Sequence, residues 1–335
     1  MSPILLTHQQ IETEFWDSFI AGSLQNIIYG YSWYLDVVCE DWHALVWPSA
    51  SHFQIVMPLP VKYKLGFPIL YQPLFCQYLG IFSIDKLSEK ETSAFLLACY
   101  SSYQYISSYS FHPDNYTTLQ PALNALTNLK YVVNTTFWLK LNRSEGDVQA
   151  GYSKDRMSNL NASRNWKWTI CKADRPEQLI QLFAENHARR IDGGVSRKSY
   201  EILQALIRKS QACSCAELLH AQREDDVHAG IVILRKGNYA VYIFNAADSQ
   251  GRRGNARTFL LDHYFCQNSE CDLIFDFESP QMESIQSFYK SFGGREIPFI
   301  TITKTNLHFP LKQLQHFRRS AIKARRGLYA ALCRI

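Results

Sequence analysis

Between residues 215 and 304 the chain passes through three strand-like segments in succession, and this run constrains the fold more than any other. The segments are "CAELLHAQRE", "HAGIVILRK" and "YAVYIFNAAD", rich in β-branched and aromatic residues, and the short "KGN" between the last two reads as a hairpin turn. A basic, glycine-containing stretch, "SQGRRGN", then leads into a helical segment, "ARTFLLDHYFCQNS". A strand ("DLIFDFES"), a helix ("MESIQSFYKSF") and a last strand ("IPFITITK") follow. Consecutive hairpin strands are antiparallel, and a helix inserted between strands permits a parallel neighbour. The expected fold class is therefore α/β (α+β), built on a mixed, mostly antiparallel sheet flanked by helices.

The first half repeats this logic more loosely. Helical patterns at residues 9–23 and 29–42 precede short strand-like runs, a helix at 88–103 and two further strands ending near Asn142. Pro58, Pro60, Pro68 and Pro73 are expected to break the early strands, because proline has no donor for a central ladder. A length of 335 residues with 47% hydrophobic residues fits two packed units. The expected division is a half spanning 1–134, a half spanning 135–310 and a basic C-terminal helix, 311–335.

The start of the chain has no basic stretch leading into a long apolar run, and no apolar segment approaches the roughly 20 residues that span a bilayer. The nine cysteines are scattered without zinc or redox spacing. These features point to a cytoplasmic protein with reduced thiols and no metal. No Ser or Cys stands in a nucleophile signature, which argues against a covalent acyl-enzyme.

Several clusters have the composition of a site. Gly251, Arg252, Arg253, Gly254, Asn255 and Ala256 bring glycines and guanidinium groups to a helix start, where free N–H groups and the helix dipole favour phosphate; Arg257 adds a further charge. Asp276 and Glu278 alternate on one face of a strand, with Phe275 and Phe277 on the other, and place two carboxylates where an α/β site holds a base. Arg156, Asn159 and Arg164 have near-helical spacing that suits a polar substrate groove. Glycines after "FYKSF" suit a helix end.

Strand, glycine turn, helix and strand, followed by a helix in which Tyr289 stands four residues before Gly293, resemble the core of the GNAT acyltransferases. The stretch "YSKDRMSNLNASRNWKWTI" and the closing "IFDFESPQMESIQSFYKSFGG" are similar to motifs of the Fem-type transferases, which are built from two GNAT-like halves. The resemblance implies two such halves here and a bacterial-type enzyme that moves an acyl or aminoacyl group to an amine by direct attack. It implies acyl-CoA or aminoacyl-tRNA as donor, and a small-molecule or cell-envelope precursor amine as acceptor. Tyr289 then supplies a proton to the leaving group, or Lys290 neutralises the donor or the developing oxyanion. Adjacent helical residues diverge by about 100°, so both do not face one pocket.

The net charge of +5 conceals an asymmetry. Seven Lys/Arg and no acidic residue occupy 311–335, leaving 28 basic against 30 acidic residues elsewhere. Leu311, Leu314, Phe317, Ala321, Leu328 and Leu332 give that tail an amphipathic helical pattern. A rival expectation follows: a non-catalytic relative that binds a nucleic acid, tRNA included, or an anionic surface through this tail.

Overall fold

A computed structural model describes residues 2–124, 126, 128–188, 191, 194–278 and 282–305. The expected basic helix at 311–335 lies outside the described residues. The first half contains β1 (Ile4–Thr7), α1 (Thr13–Gly22), α2 (Ser32–Val38), β2 (Asp41–Ser49), β3 (His52–Lys64), β4 (Phe67–Leu70), β5 (Phe82–Ser83), α3 (Glu89–Ser102), β6 (Tyr105–Ser110), α4 (Tyr116–Leu123) and β7 (Leu129–Lys140). Then come α5 (Glu145–Ala150), α6 (Lys154–Arg164), β8 (Thr169–Lys172), α7 (Glu177–Asn186), α8 (Arg197–Ala212), β9 (Ala216–Arg223), β10 (Asp226–Lys236) and β11 (Tyr239–Ala247). The chain continues through α9 (Ser249–Arg253), α10 (Ala256–Gln267), β12 (Ile274–Asp276), α11 (Glu283–Lys290) and β13 (Arg295–Thr305).

All the strands join one sheet, in the order β1-β2-β3-β4-β6-β13-β7-β12-β11-β10-β9-β8, with β5 against β3. The order contains an internal repeat. From one edge, β1-β2-β3-β4-β6 leads to β13; from the other, β8-β9-β10-β11-β12 leads to β7. Each half has a single parallel pair, β4 with β6 and β11 with β12, and is otherwise antiparallel. This is the expected mixed, mostly antiparallel architecture of two similar halves. The halves also exchange their closing strands: β7 pairs with β12, β13 pairs with β6, and the two meet along Leu129–Lys304 to Trp138–Arg295. The division expected between residues 134 and 135 falls inside β7.

Local chemistry explains most of the elements. Gly237, at φ +61°, closes the β10–β11 hairpin in a conformation that glycine adopts without strain. Ser88 and Glu91 cap α3 reciprocally. The polar stretch 149–166 is divided between two helices: α5 ends at Ala150, and Ser153 starts α6 by accepting from the Arg156 N–H. Pro58 and Pro60 do not break β3. They lie between the stretch paired with β5 (Ile55, Val56) and the stretch paired with β4 (Val61–Lys64), where that edge requires no donor.

The parallel gap in each half has a different fate. In the first half the chain after β4 folds back, so that Leu79 bridges Phe111 beside the end of β6. Gly80, at φ +95°, makes this approach possible, since a Cβ there would lie 2.3 Å from Asn115 Oδ1. In the second half β12 pairs with β11 only from Ile274 to Asp276, while β11 continues to Ala247, so the two strands separate beyond Val241. Phe275 and Phe277 face the core formed with Phe265, Tyr289 and Phe292. Asp276 faces the seam with the first half, as the alternation along β12 requires.

Candidate acyl-transfer site

The separation of β11 from β12 is bounded by Tyr242 on β11, Glu278 just past β12, Tyr289 on α11 and Arg257 in the first turn of α10. Tyr289 is buried, with its ring stacked on Phe277 at 4.7 Å between centroids and edge-on to Tyr242 at 6.2 Å. Burial raises its phenol well above the ordinary value; Arg257 opposes the rise, and Glu278 and Asp276 add to it. Burial raises the Tyr242 phenol in the same way, and its hydroxyl has no hydrogen-bond partner among the described residues. Two phenols, a carboxylate and a guanidinium thus act on one another across the gap.

The two carboxylates singled out from sequence have separate fates. The Asp276 carboxylate is fully buried; it accepts from the Tyr78 hydroxyl, from Thr136 Oγ1 at 2.6 Å and from the Glu278 N–H at 3.0 Å. Tyr78 belongs to the first half, and also accepts from Trp138 Nε1 at 3.4 Å. Asp276 therefore ties the halves together and has no free oxygen for an incoming ammonium. Glu278 follows in a left-handed conformation (φ +48°). Its Oε1 is closed off from solvent without a hydrogen-bond partner among the described residues, and burial pushes its carboxyl up to about 8. A carboxylate left unpaired in this way is poised to exchange a proton near neutral pH.

Tyr289 and Lys290 diverge, as their adjacency on a helix dictates. Lys290 faces solvent and pairs with Glu296 Oε1 at 3.1 Å, both side chains more than half exposed. It belongs to the surface and does not join Tyr289 in the gap.

The basic stretch at 249–255 is helical rather than an open loop. Asp248 caps α9, accepting from the Gly251 N–H at 2.7 Å, and its other oxygen meets His228 Nδ1 at 2.8 Å. A Cβ on Gly251 would lie 2.1 Å from the His228 carbonyl oxygen, and one on Gly254 would lie 2.3 Å from the Trp168 ring. Close packing therefore accounts for both glycines. The Arg252 guanidinium donates to the Ala247 carbonyl at 2.6 Å, whereas Arg253 is exposed. Asn255, left-handed at φ +51°, leads into α10 without a side-chain cap, and Ala256 is buried at the helix start. Arg257 donates to Asn245 Oδ1 at 2.9 Å and lies 5.1 Å from the Phe288 ring, so the cation nearest the gap is Arg257 rather than Arg252 or Arg253.

Of the residues expected to line a groove on α6, Arg156 is buried, Asn159 half-buried and Arg164 exposed. Arg156 donates to Thr258 Oγ1 at 2.6 Å and to Ser291 Oγ at 2.9 Å, and stacks on Phe288 and Phe292 at 4.2 and 4.6 Å. One guanidinium thereby fixes the start of α10 against the helix that carries Tyr289. Burial and the neighbouring Arg257 lower its value to about 10. Sequence reasoning missed Tyr242, Thr258 and Ser291. Tyr242 had one legible signal: a phenol in an otherwise apolar strand directly before the basic stretch.

No group of His, Cys, Asp and Glu among the described residues has the arrangement to hold a metal ion, and no described helix is long and apolar enough to cross a membrane. Residues 154–277 match the family model of the acetyltransferase (GNAT) domain. The solved structure of FemX shares 14% identity and superposes over 94% of this chain and 99% of that one, with a TM-score of 0.66. L-PGS from Bacillus licheniformis shares 11% identity, over 92% of this chain and 96% of that one, with a TM-score of 0.54. A conserved protein of unknown function from Bacteroides thetaiotaomicron shares 10%, over 87% and 96%, with a TM-score of 0.57. No curated protein matches the sequence. Residues 154–277 thus match a GNAT acetyltransferase domain, and the chain as a whole has the fold of FemX.

Proposed function

We propose that this protein transfers an acyl or aminoacyl group from a carrier thioester or ester to an amine, by direct attack in the gap between β11 and β12. The observation that carries this reading is Glu278: a carboxyl pushed up to about 8 by burial, with an enclosed oxygen that has no hydrogen-bond partner among the described residues, beside the buried phenol of Tyr289. Glu278 takes a proton from the acceptor ammonium, and the neutral amine adds to the acyl carbonyl. The tetrahedral intermediate collapses, the bond to the carrier sulfur or oxygen breaks, Tyr289 supplies the proton that the leaving atom needs, and the proton shed by the new amide nitrogen restores the phenol. The Tyr242 hydroxyl, without a partner among the described residues, is a hydrogen-bonding partner for the donor's acyl arm. Arg257 and the first N–H groups of α10 suit its phosphates. Arg156 positions both helices, and the remaining rate enhancement comes from holding amine and carbonyl in line.

The test incubates the full chain with an amine library and, separately, acetyl-CoA and charged tRNA, and follows amide formation by mass spectrometry. Amide formed from one donor class, and lost in Tyr289→Phe, is the expected result and also identifies the carrier. Absence of amide from both donors, with protein shown to be folded, overturns the proposal.

A further inference from the structure

Along the end of β7 and the segment that follows it lies a hollow of about 180 Å³ lined by Trp138, Lys140, Asn142, Arg143, Gly293 and Arg295. Its composition is one-sided: three cations, an amide, an indole and a glycine, with no carboxylate. The strand register explains how the cations come together. Lys140 pairs with Ile274, and Arg295 pairs with Trp138, so Trp138, Lys140 and Arg295 share one face of the sheet. Two residues before Arg295 stands Gly293, at φ +82°, where a Cβ would lie 2.9 Å from the Gly151 carbonyl oxygen. Arg143 is held over the hollow by its own Nε, which donates to the Lys140 carbonyl at 3.1 Å.

Like charges gathered on one face repel, and such clusters are ordinarily relieved by an interleaved acid. None lines the hollow: Asp276, opposite Trp138 on the same face, is held by Tyr78 and Thr136. Among the described residues no carboxylate lies within ion-pair distance of Lys140, Arg143 or Arg295. Glu296, beside Arg295, pairs with Lys290; Glu145, two residues from Arg143, is exposed and does not line the hollow. Arg143 and Arg295 offer planar forks suited to oxyanions, and Asn142 adds an uncharged donor.

We infer that this hollow binds a phosphoryl group of a small phosphorylated ligand, at a site separate from the gap that holds Glu278 and Tyr289. A di- or trianionic, tetrahedral group matches three converging cations better than a singly charged carboxylate does. The enclosed volume fits one or two phosphoryl groups and not a polymer backbone. The inference stands on the hollow and its charges alone, independently of the acyl-transfer reading.

Calorimetric titration of the full chain with inorganic pyrophosphate, with phosphate and with acetate tests it. Pyrophosphate is expected to bind more tightly than phosphate, with acetate silent, and the affinity is expected to fall between 50 and 500 mM salt, roughly the range over which screening tightens severalfold. Lys140→Gln with Arg295→Gln, both exposed positions, should keep the native circular dichroism and weaken pyrophosphate by roughly tenfold or more. Arg252→Gln with Arg253→Gln should leave that affinity unchanged. No heat from pyrophosphate in 50 mM salt overturns the inference. So does binding that survives the Lys140/Arg295 pair, since the site then lies on α9, α10 or the basic tail.

Discussion

Replacing Glu278 by Gln tests the proposed chemistry most directly, because the structure fixes the shape of the response as well as its size. The carboxyl is pushed up to about 8 by burial. At pH 7 a group with that pKa is ionised in only about one molecule in eleven, and by pH 9 in about nine of ten. If Glu278 accepts the acceptor's proton, the rate should climb roughly tenfold from pH 7 to a plateau near pH 9, with an apparent pKa near 8 in kcat/KM for the free enzyme. Glu278→Gln keeps the size of the side chain and removes the base. It should lower kcat by about 10² to 10⁴ and abolish the climb, leaving only the titration of the amine itself. The same group makes an independent thermodynamic statement. A carboxyl whose folded value is raised favours the folded state most below the ordinary value of 4.5, and that contribution is lost as pH rises towards 8. The Gln variant should therefore gain stability relative to wild type between pH 5 and 8, measured by urea unfolding at each pH. A variant that keeps the wild-type pH–rate profile refutes the assignment of the base, and a wild type whose stability rises over that window refutes the burial argument beneath it.

Further outcomes follow from the same geometry. Tyr289→Phe should lower turnover by about 10² to 10⁴ with folding retained, while Lys290→Met, which breaks only an exposed ion pair, should change turnover by less than about twofold; steady-state kinetics of the two variants reversing that order would return the lysine to the site. Asp276→Ala leaves Tyr78, Thr136 and the Glu278 N–H without their acceptor, and should destabilise the protein by roughly 3 to 5 kcal/mol in urea unfolding. A loss below about 1 kcal/mol would mean that the seam is held by other contacts. Gly251→Ala drives a methyl group against the His228 carbonyl, so α9 must shift; a destabilisation of about 1 to 3 kcal/mol is expected from thermal unfolding, and a silent substitution would show that the helix has slack.

By itself, the sequence determined the succession of elements. The three hairpin strands, the helix after the basic stretch and the closing strand–helix–strand are set by short-range periodicity and turn chemistry, which act over a few residues and stay legible without a fold. The alternation along "DLIFDFES" likewise sorted Phe275 and Phe277 to the core side of β12, and the divergence of Tyr289 from Lys290 follows from helical pitch alone. Tertiary structure decided what each polar group does. Asp276 and Glu278 are two residues apart and chemically alike, yet one is held by Tyr78, 198 residues away, while the other has an oxygen without a partner among the described residues; only long-range packing sets that difference. The glycines at 251 and 254 carried a phosphate-loop signal, and the structure adds a reason the sequence does not record: a Cβ at either would press on His228 or Trp168. The exchange of β7 and β13 between the halves was invisible in the sequence for the same reason: strand pairing depends on edges left unpaired elsewhere in the sheet, and no local pattern records which edges those are.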